Sequence, residues 1–372
     1  MMKKLSTGLI ILIIIFCGLV LAGCSSSGGK ESTGSGPVQS DKLKVIASIY
    51  PVYDFAKNVG GDRIDISCLV PPGAEPHEWE PSPRDMVQLQ NADVFIYCGA
   101  GMEQWVAKTL ETLEKSALPK IDASKNIELL AGHDHHHQVE HQDQDGDSED
   151  KHGEEHHHSV TESDDSVTVH EHEHEDDAAH EDNPVNGNHA HESIDIANAD
   201  PHIWVDPLNA INMVENITAG LVEADPANKS YYEHNAGEYC QQLMDLHKDY
   251  QDRLTGARGK EFVTSHDAFG YLAKQYGLIQ VPLRGLSPEV EPTPARMVEV
   301  VKLVREKEIR YIFFESLVSP KVSEVIAAET GVEILVLNPV GGLTAEEIAA
   351  GKDYLSVMRE NLANLQKSFN AL

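Results

Sequence analysis

Three histidines in the sequence lie in settings suited to binding a metal ion. His202 lies within residues 200–207, a segment stiffened by two prolines, whose rings fix φ. His77 follows a proline in the segment 76–81, and His266 precedes an aspartate and an aromatic residue. Neutral imidazole is the commonest side-chain ligand for divalent transition metals. We therefore predict that His77, His202 and His266 converge on one divalent metal ion.

The donor set bears on which metal binds. Imidazole suits zinc and copper, whereas manganese prefers carboxylate oxygen. Three histidines without an obvious carboxylate ligand favour Zn²⁺ over Mn²⁺. Three histidines and a water are also the donors of hydrolytic zinc sites, so a secreted zinc hydrolase is a second hypothesis. No general base stands at a fixed offset from these histidines, which argues for a carrier and against an enzyme.

Carboxylates near the histidines are candidates to orient the imidazole rings. An acceptor on the second ring nitrogen fixes which nitrogen carries the proton. Asp206 follows His202 closely, and Glu315 ends a predicted strand. Glu315 could equally be a buried cap or hydrogen-bond acceptor with no part in the metal site.

A tract at residues 131–195 holds 21 acidic residues, one lysine and 15 of the 20 histidines. Its low apolar content predicts a disordered loop, since little burial is available to offset chain entropy. Clustered imidazoles and carboxylates suggest a low-affinity zinc collector, although a solvated loop without a required role is the simpler interpretation. The clustered histidines are His133, His135, His136, His137, His156, His157, His158, His170, His172 and His174.

The first residues have the pattern of a processing signal. Residues 1–23 combine a basic start with a short apolar run, typical of a signal peptide. The run ends in Leu-Ala-Gly before Cys24, which resembles the lipidation site of bacterial lipoproteins, and residues 24–40 suit a flexible tether. An uncleaved transmembrane anchor is the alternative. Both interpretations place the protein outside the cytoplasm and attached to a membrane.

The formal net charge of −32 argues against a nucleic-acid partner, because phosphate contacts need lysine and arginine. Beyond the signal and Cys24, the cysteines are Cys68, Cys98 and Cys240. Their odd number and the lack of a CxxC spacing give no sign of a disulfide framework or a thiolate metal site. One disulfide among them remains open.

Apolar periodicity predicts strands alternating with helices in both halves of the chain, which is typical of α/β domains with parallel sheets. We predict a first lobe over residues 41–227, a linking helix over 228–255 and a second lobe over 256–372. Ser82 and Asp85 predict a capped helix start, and the absence of proline predicts one closing helix over residues 345–372. Ligands of such sheets bind beyond the carboxyl ends of the strands, where His77 and His266 are expected.

Four motifs together resemble the zinc-binding proteins of ABC importers, a family that also contains manganese-binding lipoproteins and adhesins. The resemblance implies two (β/α)₄-like lobes joined by one rigid helix, with the metal site in the cleft between them. It implies His77, His202 and His266 as ligands. It also implies a monomer anchored to the membrane by lipid, with an ABC permease and its ATPase as partners. The motifs are Pro72–His77, Asp200–Pro207, His266–Tyr271 and Leu337–Pro339.

One position departs from the family pattern. Relatives with four protein ligands carry a carboxylate two residues after the Asn-Pro motif, and here that residue is Gly341. The sequence therefore predicts three histidine ligands plus a water, or a carboxylate from another part of the chain.

Overall fold

The computed structural model describes residues 42–112, 118–132 and 198–370. The predicted signal peptide, Cys24, the tether and all ten named histidines of the tract lie outside these ranges. Among the described residues, Cys68, Cys98 and Cys240 are free cysteines.

The first half contains a parallel sheet of four strands, ordered β2-β1-β3-β4. The core strand β1 is buried at Val45 to Ala47. The capping box that Ser82 and Asp85 predict is confirmed, because Ser82 and Asp85 exchange side-chain to backbone hydrogen bonds at the start of α2. The elements are β1 (Leu43–Ala47), α1 (Tyr50–Gly60), β2 (Ile64–Cys68), α2 (Pro83–Gln90), β3 (Val94–Tyr97), α3 (Trp105–Thr112) and β4 (Lys120–Asp122).

The second half contains four further parallel strands, hydrogen-bonded as two pairs, β5 with β6 and β7 with β8. Strand β5 also lies against β7, so the carboxyl ends of these two strands meet at one edge. The elements are β5 (Glu261–Thr264), α6 (Gly270–Tyr276), β6 (Ile279–Pro282), α7 (Pro294–Glu306), β7 (Tyr311–Phe314), α8 (Lys321–Thr330), β8 (Glu333–Val336), α9 (Ala345–Ala349) and α10 (Tyr354–Asn370).

Helix α4 (Pro207–Ala224) packs on α1 and β4 of the first half, and the 26-residue α5 (Lys229–Leu254) packs on α4. Helix α5 contacts α1 and α4 of the first half and α6 and α10 of the second. Its buried face is the sparse stripe Tyr232, Tyr239, Leu243, Leu246 and Tyr250, and the rest of this helix is mostly polar. The predicted α/β fold with parallel sheets and one long connecting helix is therefore confirmed. Across the three described ranges, no helix has the length and apolar content that a membrane span requires.

The predicted closing helix is wrong in one respect, because the structure divides it into α9 and α10. Gly351 between them has a φ of 76°, in the left-handed region that glycine adopts without steric cost. Asp353 and Ser356 then exchange two hydrogen bonds of 2.8 Å, which cap the start of α10. Scanning for proline alone misses a helix end made by glycine and a cap.

Candidate metal centre

His202 lies just before a short 3₁₀ turn that leads into α4. Asp200 Oδ1 accepts from the backbone N–H of His202 at 2.9 Å and lies 2.8 Å from its ring Nδ1. A carboxylate oxygen can only accept, so the proton is on Nδ1 and the lone pair of Nε2 is free. His202 is 1% exposed, and its ring is therefore fixed both in orientation and in tautomer.

His266 lies two residues after β5, beside the end of β7. Glu315 follows β7 directly, and its Oε1 accepts from the backbone N–H of His266 at 3.2 Å. Its Oε2 lies 2.6 Å from His266 Nδ1, out of line for a hydrogen bond, so Glu315 contacts the ring by proximity of charge and the backbone by a hydrogen bond. The two adjacent strand ends thus supply the imidazole and the group that orients it.

His77 lies on the irregular loop between β2 and α2. Its backbone N–H donates to Glu75 Oε2 at 2.9 Å, and its side chain is 12% exposed. Burial, and then the nearby His202 and His266, lower the pKa of His77 well below 6.5. The imidazole is therefore neutral at pH 7, the state in which it can donate a lone pair to a metal.

The three imidazoles converge on one point. His202 Nε2 lies 3.0 Å from His77 Nε2 and 3.3 Å from His266 Nε2, and one ligand atom from each residue lies within 4.8 Å of the others. Zn–N bonds of about 2.0–2.1 Å in a tetrahedron place ligand nitrogens about 3.3 Å apart. The arrangement therefore has the dimensions of a zinc site built from three histidines.

The cavity at this point has a volume of about 20 Å³, which is enough for a single ion. Apolar groups surround it, including Pro76, Trp204, Leu317 and Val318. This apolar lining strengthens electrostatic interactions inside the site, because the effective dielectric constant there is lower than in water.

Glu75 is a carboxylate on the wall of this cavity. Its Oε1 lies 3.9 Å from His77 Nε2, close to the point where the ring nitrogens meet. Burial raises the pKa of Glu75 to about 7, and the hydrogen bond from the His77 backbone opposes this shift. The site thus contains a carboxyl group that is partly protonated at neutral pH.

Gly341, where four-ligand relatives carry a carboxylate, packs closely on the first half of the chain. A Cβ at this position would lie 3.3 Å from Pro76 Cγ and 3.7 Å from Trp204 Cζ2. The loop is held two residues earlier as well, since Trp204 Nε1 donates to Pro339 O at 2.6 Å. The loop therefore closes the site by close packing, and Gly341 brings no carboxylate to the three nitrogens.

Sequence reasoning misplaced one supporting carboxylate and missed two. Asp206 does not orient His202: its Oδ1 accepts from Leu208 N at 3.0 Å and caps α4. Asp200 and Glu75 are the groups in contact with their histidines. Both belong to the same tripeptide, an acidic residue followed by proline and histidine, and this repeat was a usable signal.

The sequence matches the family described as ZnuA, the periplasmic component A of a zinc-uptake complex, over residues 45–368. The high-affinity zinc uptake system protein ZnuA of Bacillus subtilis (strain 168) is 38% identical over 96% of this chain and 96% of its own length. The zinc-binding lipoprotein AdcA of Streptococcus pneumoniae is 36% identical over 99% of this chain, which spans only 61% of that relative.

Solved structures give the same result. The Zn(II)-bound ZnuA-like domain of Streptococcus pneumoniae AdcA is similar with a TM-score of 0.65 and 34% identity, covering 88% of this chain and 99% of that domain. The laminin-binding protein Lbp of Streptococcus pyogenes is similar with a TM-score of 0.64 and 28% identity, covering 88% and 99%.

Proposed function

The chain belongs to the ZnuA family of zinc-uptake components, and from this membership we propose that it binds Zn²⁺ outside the cytoplasm and delivers it to an ABC permease. Zinc is then the cargo of the protein and not a catalytic cofactor. The observation that carries the proposal is the approach of the three Nε2 atoms, at 3.0 and 3.3 Å, inside a small apolar cavity.

In this proposal the ligands are His77, His202 and His266. Asp200 accepts the Nδ1 proton of His202, which keeps its Nε2 lone pair available, and Glu315 lies against the backbone N–H and the ring of His266. Glu75 provides the carboxylate that Gly341 does not, or else a water completes the coordination. Zinc is favoured over manganese because the donor set consists mainly of imidazole.

The proposal is tested by metal analysis of the protein purified from cells without added metal. We expect about one zinc per chain in the wild type and a large loss in His202→Ala. His234→Ala is the matched control, because His234 is an exposed histidine on α5 with a side chain 68% exposed. Manganese as the main metal, or equal zinc content in both variants, would refute the assignment.

The attachment and organisation of the chain are further parts of the proposal. Lipidation at Cys24, followed by the tether, would anchor the protein to the membrane as a monomer beside the permease and its ATPase. The lobes at residues 41–227 and 256–372, joined by the helix at 228–255, would hold the metal between them. The word lipoprotein in the name of AdcA supports the anchor.

The tract at residues 131–195 is proposed as a low-affinity zinc collector. It ends shortly before His202 in the sequence. Deletion of residues 134–192 should leave one tight zinc site and remove weaker ones. Isothermal titration of the two proteins tests this, and a single site both before and after deletion would contradict it.

A second candidate function is an adhesin, since the similar protein Lbp is named as laminin-binding. Binding of the zinc-loaded protein to immobilised laminin would test it.

The hydrolase hypothesis can also be tested directly. Residues 170–174 of the tract fit the pattern HExxH, which is found in zinc hydrolases. We expect no turnover of ester or peptide substrates by the zinc-loaded protein.

A further inference from the structure

The side chain of Gln280 faces inward on β6, which reverses the usual pattern of a strand. Gln280 is 7% exposed, whereas the neighbouring Ile279 is 47% exposed. Burying an amide costs free energy unless its donors and acceptor are paired, and an apolar side chain is expected in the buried position. The reversal indicates that the amide is retained for the hydrogen bonds it makes.

All three hydrogen bonds of this amide go to the segment that carries His266. Gln280 Nε2 donates to the carbonyl oxygen of His266 at 3.0 Å and to Thr264 Oγ1 at 2.9 Å. Gln280 Oε1 accepts from the backbone N–H of Phe269 at 3.1 Å, which fixes the orientation of the amide. One side chain therefore spans the turn between β5 and α6.

Thr264 completes this network. Its hydroxyl donates to the carbonyl oxygen of His266 at 2.8 Å while accepting from Gln280. The residues involved are all buried, with Thr264 and Phe269 at 0% exposure and His266 at 2%. A buried polar network in which every member is paired rigidifies its surroundings.

We infer that Gln280 is a positioning residue for His266, an inference that rests on the proposed zinc-binding function. Glu315 accepts from the backbone N–H of His266 and lies 2.6 Å from its ring Nδ1, while Gln280 and Thr264 donate to its carbonyl oxygen. The two sets of contacts fix the residue at both ends and hold its Nε2 3.3 Å from that of His202. This preorganisation lowers the entropy cost of binding.

The test is Gln280→Met, which keeps the length of the side chain and removes all three hydrogen bonds. We expect zinc affinity to fall about tenfold, at the low end of the effect of outer groups on metal sites, as measured by competition with a chelating dye. The matched control is Gln241→Met, because Gln241 is an exposed glutamine on α5 whose amide bonds Asp245. Its affinity should equal that of the wild type.

A double-mutant cycle with His266→Ala distinguishes a positioning role of Gln280 from a general destabilisation of the fold. If Gln280 acts through His266, Gln280→Met should change affinity less than about twofold once His266 is absent, because the two effects are coupled. Equal losses in both backgrounds would overturn the inference. A wild type that binds zinc no better than His266→Ala would refute the proposed function itself and not only the role of Gln280.

Two further measurements keep the test decisive if Gln280→Met folds poorly. Thr264→Val removes only the hydroxyl of the network and should weaken zinc binding in the same direction, again only when His266 is present. Cobalt bound to either variant should give a visible absorption spectrum shifted from that of the wild type, because the ligand geometry changes. Unchanged affinity and spectrum in a folded variant would disprove the positioning role.

Discussion

At the residue scale, two of the three histidines are held by the same local hydrogen bond. In Glu75-Pro76-His77 and Asp200-Pro201-His202 the acidic side chain accepts the backbone N–H of the histidine two residues later, at 2.9 Å in each case. Proline between them has no N–H of its own and restricts φ. Aspartate forms such turns readily, and Glu75 makes the same contact with a side chain one methylene longer. Each tripeptide thus holds its histidine in place before tertiary contacts are considered.

The contact of Asp200 with His202 predicts a difference between two nearby aspartates. Asp200→Asn should weaken zinc binding about tenfold, because the neutral amide is a weaker partner for the ring Nδ1 proton. Asp206→Asn should leave the affinity unchanged, since asparagine is as good an N-cap as aspartate and Asp206 caps α4. Chelator competition on both variants checks this, and equal losses would contradict the assigned roles.

The buried Glu75 predicts the pH dependence of zinc binding. With Glu75 as the fourth ligand, zinc needs neutral His77 and ionised Glu75, and the pKa of His77 is well below 6.5 whereas that of Glu75 is about 7. Affinity should therefore fall as pH decreases from 8 to 6, because protons compete at Glu75. Unperturbed imidazoles alone, with a pKa of about 6.5, would delay the fall to roughly pH 6.

Glu75→Gln distinguishes these two cases. The variant cannot ionise, so its affinity should be lower than that of the wild type at pH 8 and constant between pH 7 and 8. Chelator competition across pH 5 to 8 measures both profiles. If Glu75→Gln and the wild type lose affinity in parallel, Glu75 is not a ligand and a water is the fourth donor.

At the element scale, helix ends position the site more than helix interiors do. The loop after β8 carries Gly341 against Pro76, and Gly351 then separates α9 from α10. Tyr354 in the first turn of α10 donates to Trp204 O at 2.6 Å, which ties this end of the second half to the segment after His202. The break between the two helices is therefore part of how the halves meet.

Two glycines predict opposite effects on stability. Gly351→Ala should destabilise the protein by about 1 kcal/mol, because a Cβ disfavours the positive φ that Gly351 adopts at 76°. Gly237→Ala should stabilise it by about 0.5–1 kcal/mol, since alanine is the better helix former and a Cβ there meets nothing within 4 Å. Urea unfolding of both variants tests this pair. A stabilising Gly351→Ala would show that the break is not required.

At the scale of the whole molecule, the metal site joins the two halves of the chain. His77 and His202 come from the first half and His266 from the second, each beyond the carboxyl end of a strand or ahead of a helix. The long helix α5 contacts both halves along a buried stripe that includes Tyr239 and Tyr250. Zinc bound at the proposed site would therefore crosslink parts of the fold that α5 also contacts.

This crosslink predicts that zinc stabilises the whole fold. A ligand that binds only the folded state adds about 4 kcal/mol at a free concentration 1,000 times its Kd. The thermal midpoint should rise on adding zinc, and the rise should nearly disappear in His266→Ala. A rise of the same size in both proteins would place the stabilising zinc elsewhere, for example in the tract.

Apolar periodicity predicted the α/β fold and Ser82 its capping box, while the settings of three histidines suggested that they converge and the resemblance of four motifs to a known family supported this. These features are local, because a helix cap or a strand pattern depends on residues a few positions apart. Which carboxylate contacts a histidine could not be predicted in the same way, because it depends on the direction in which each side chain points. Asp200 faces the ring of His202 and Asp206 faces a helix end, although both lie close to it in sequence.

Only the tertiary structure decided which distant groups complete the site. Glu315 meets His266 because β5 and β7 are neighbours, and Gly341 meets Pro76 because a loop of the second half packs on the first. No periodicity records such pairings, since they depend on how whole strands and helices pack. The sequence therefore determined the chemistry of the three imidazoles, while packing determined the surroundings that set their orientation and geometry.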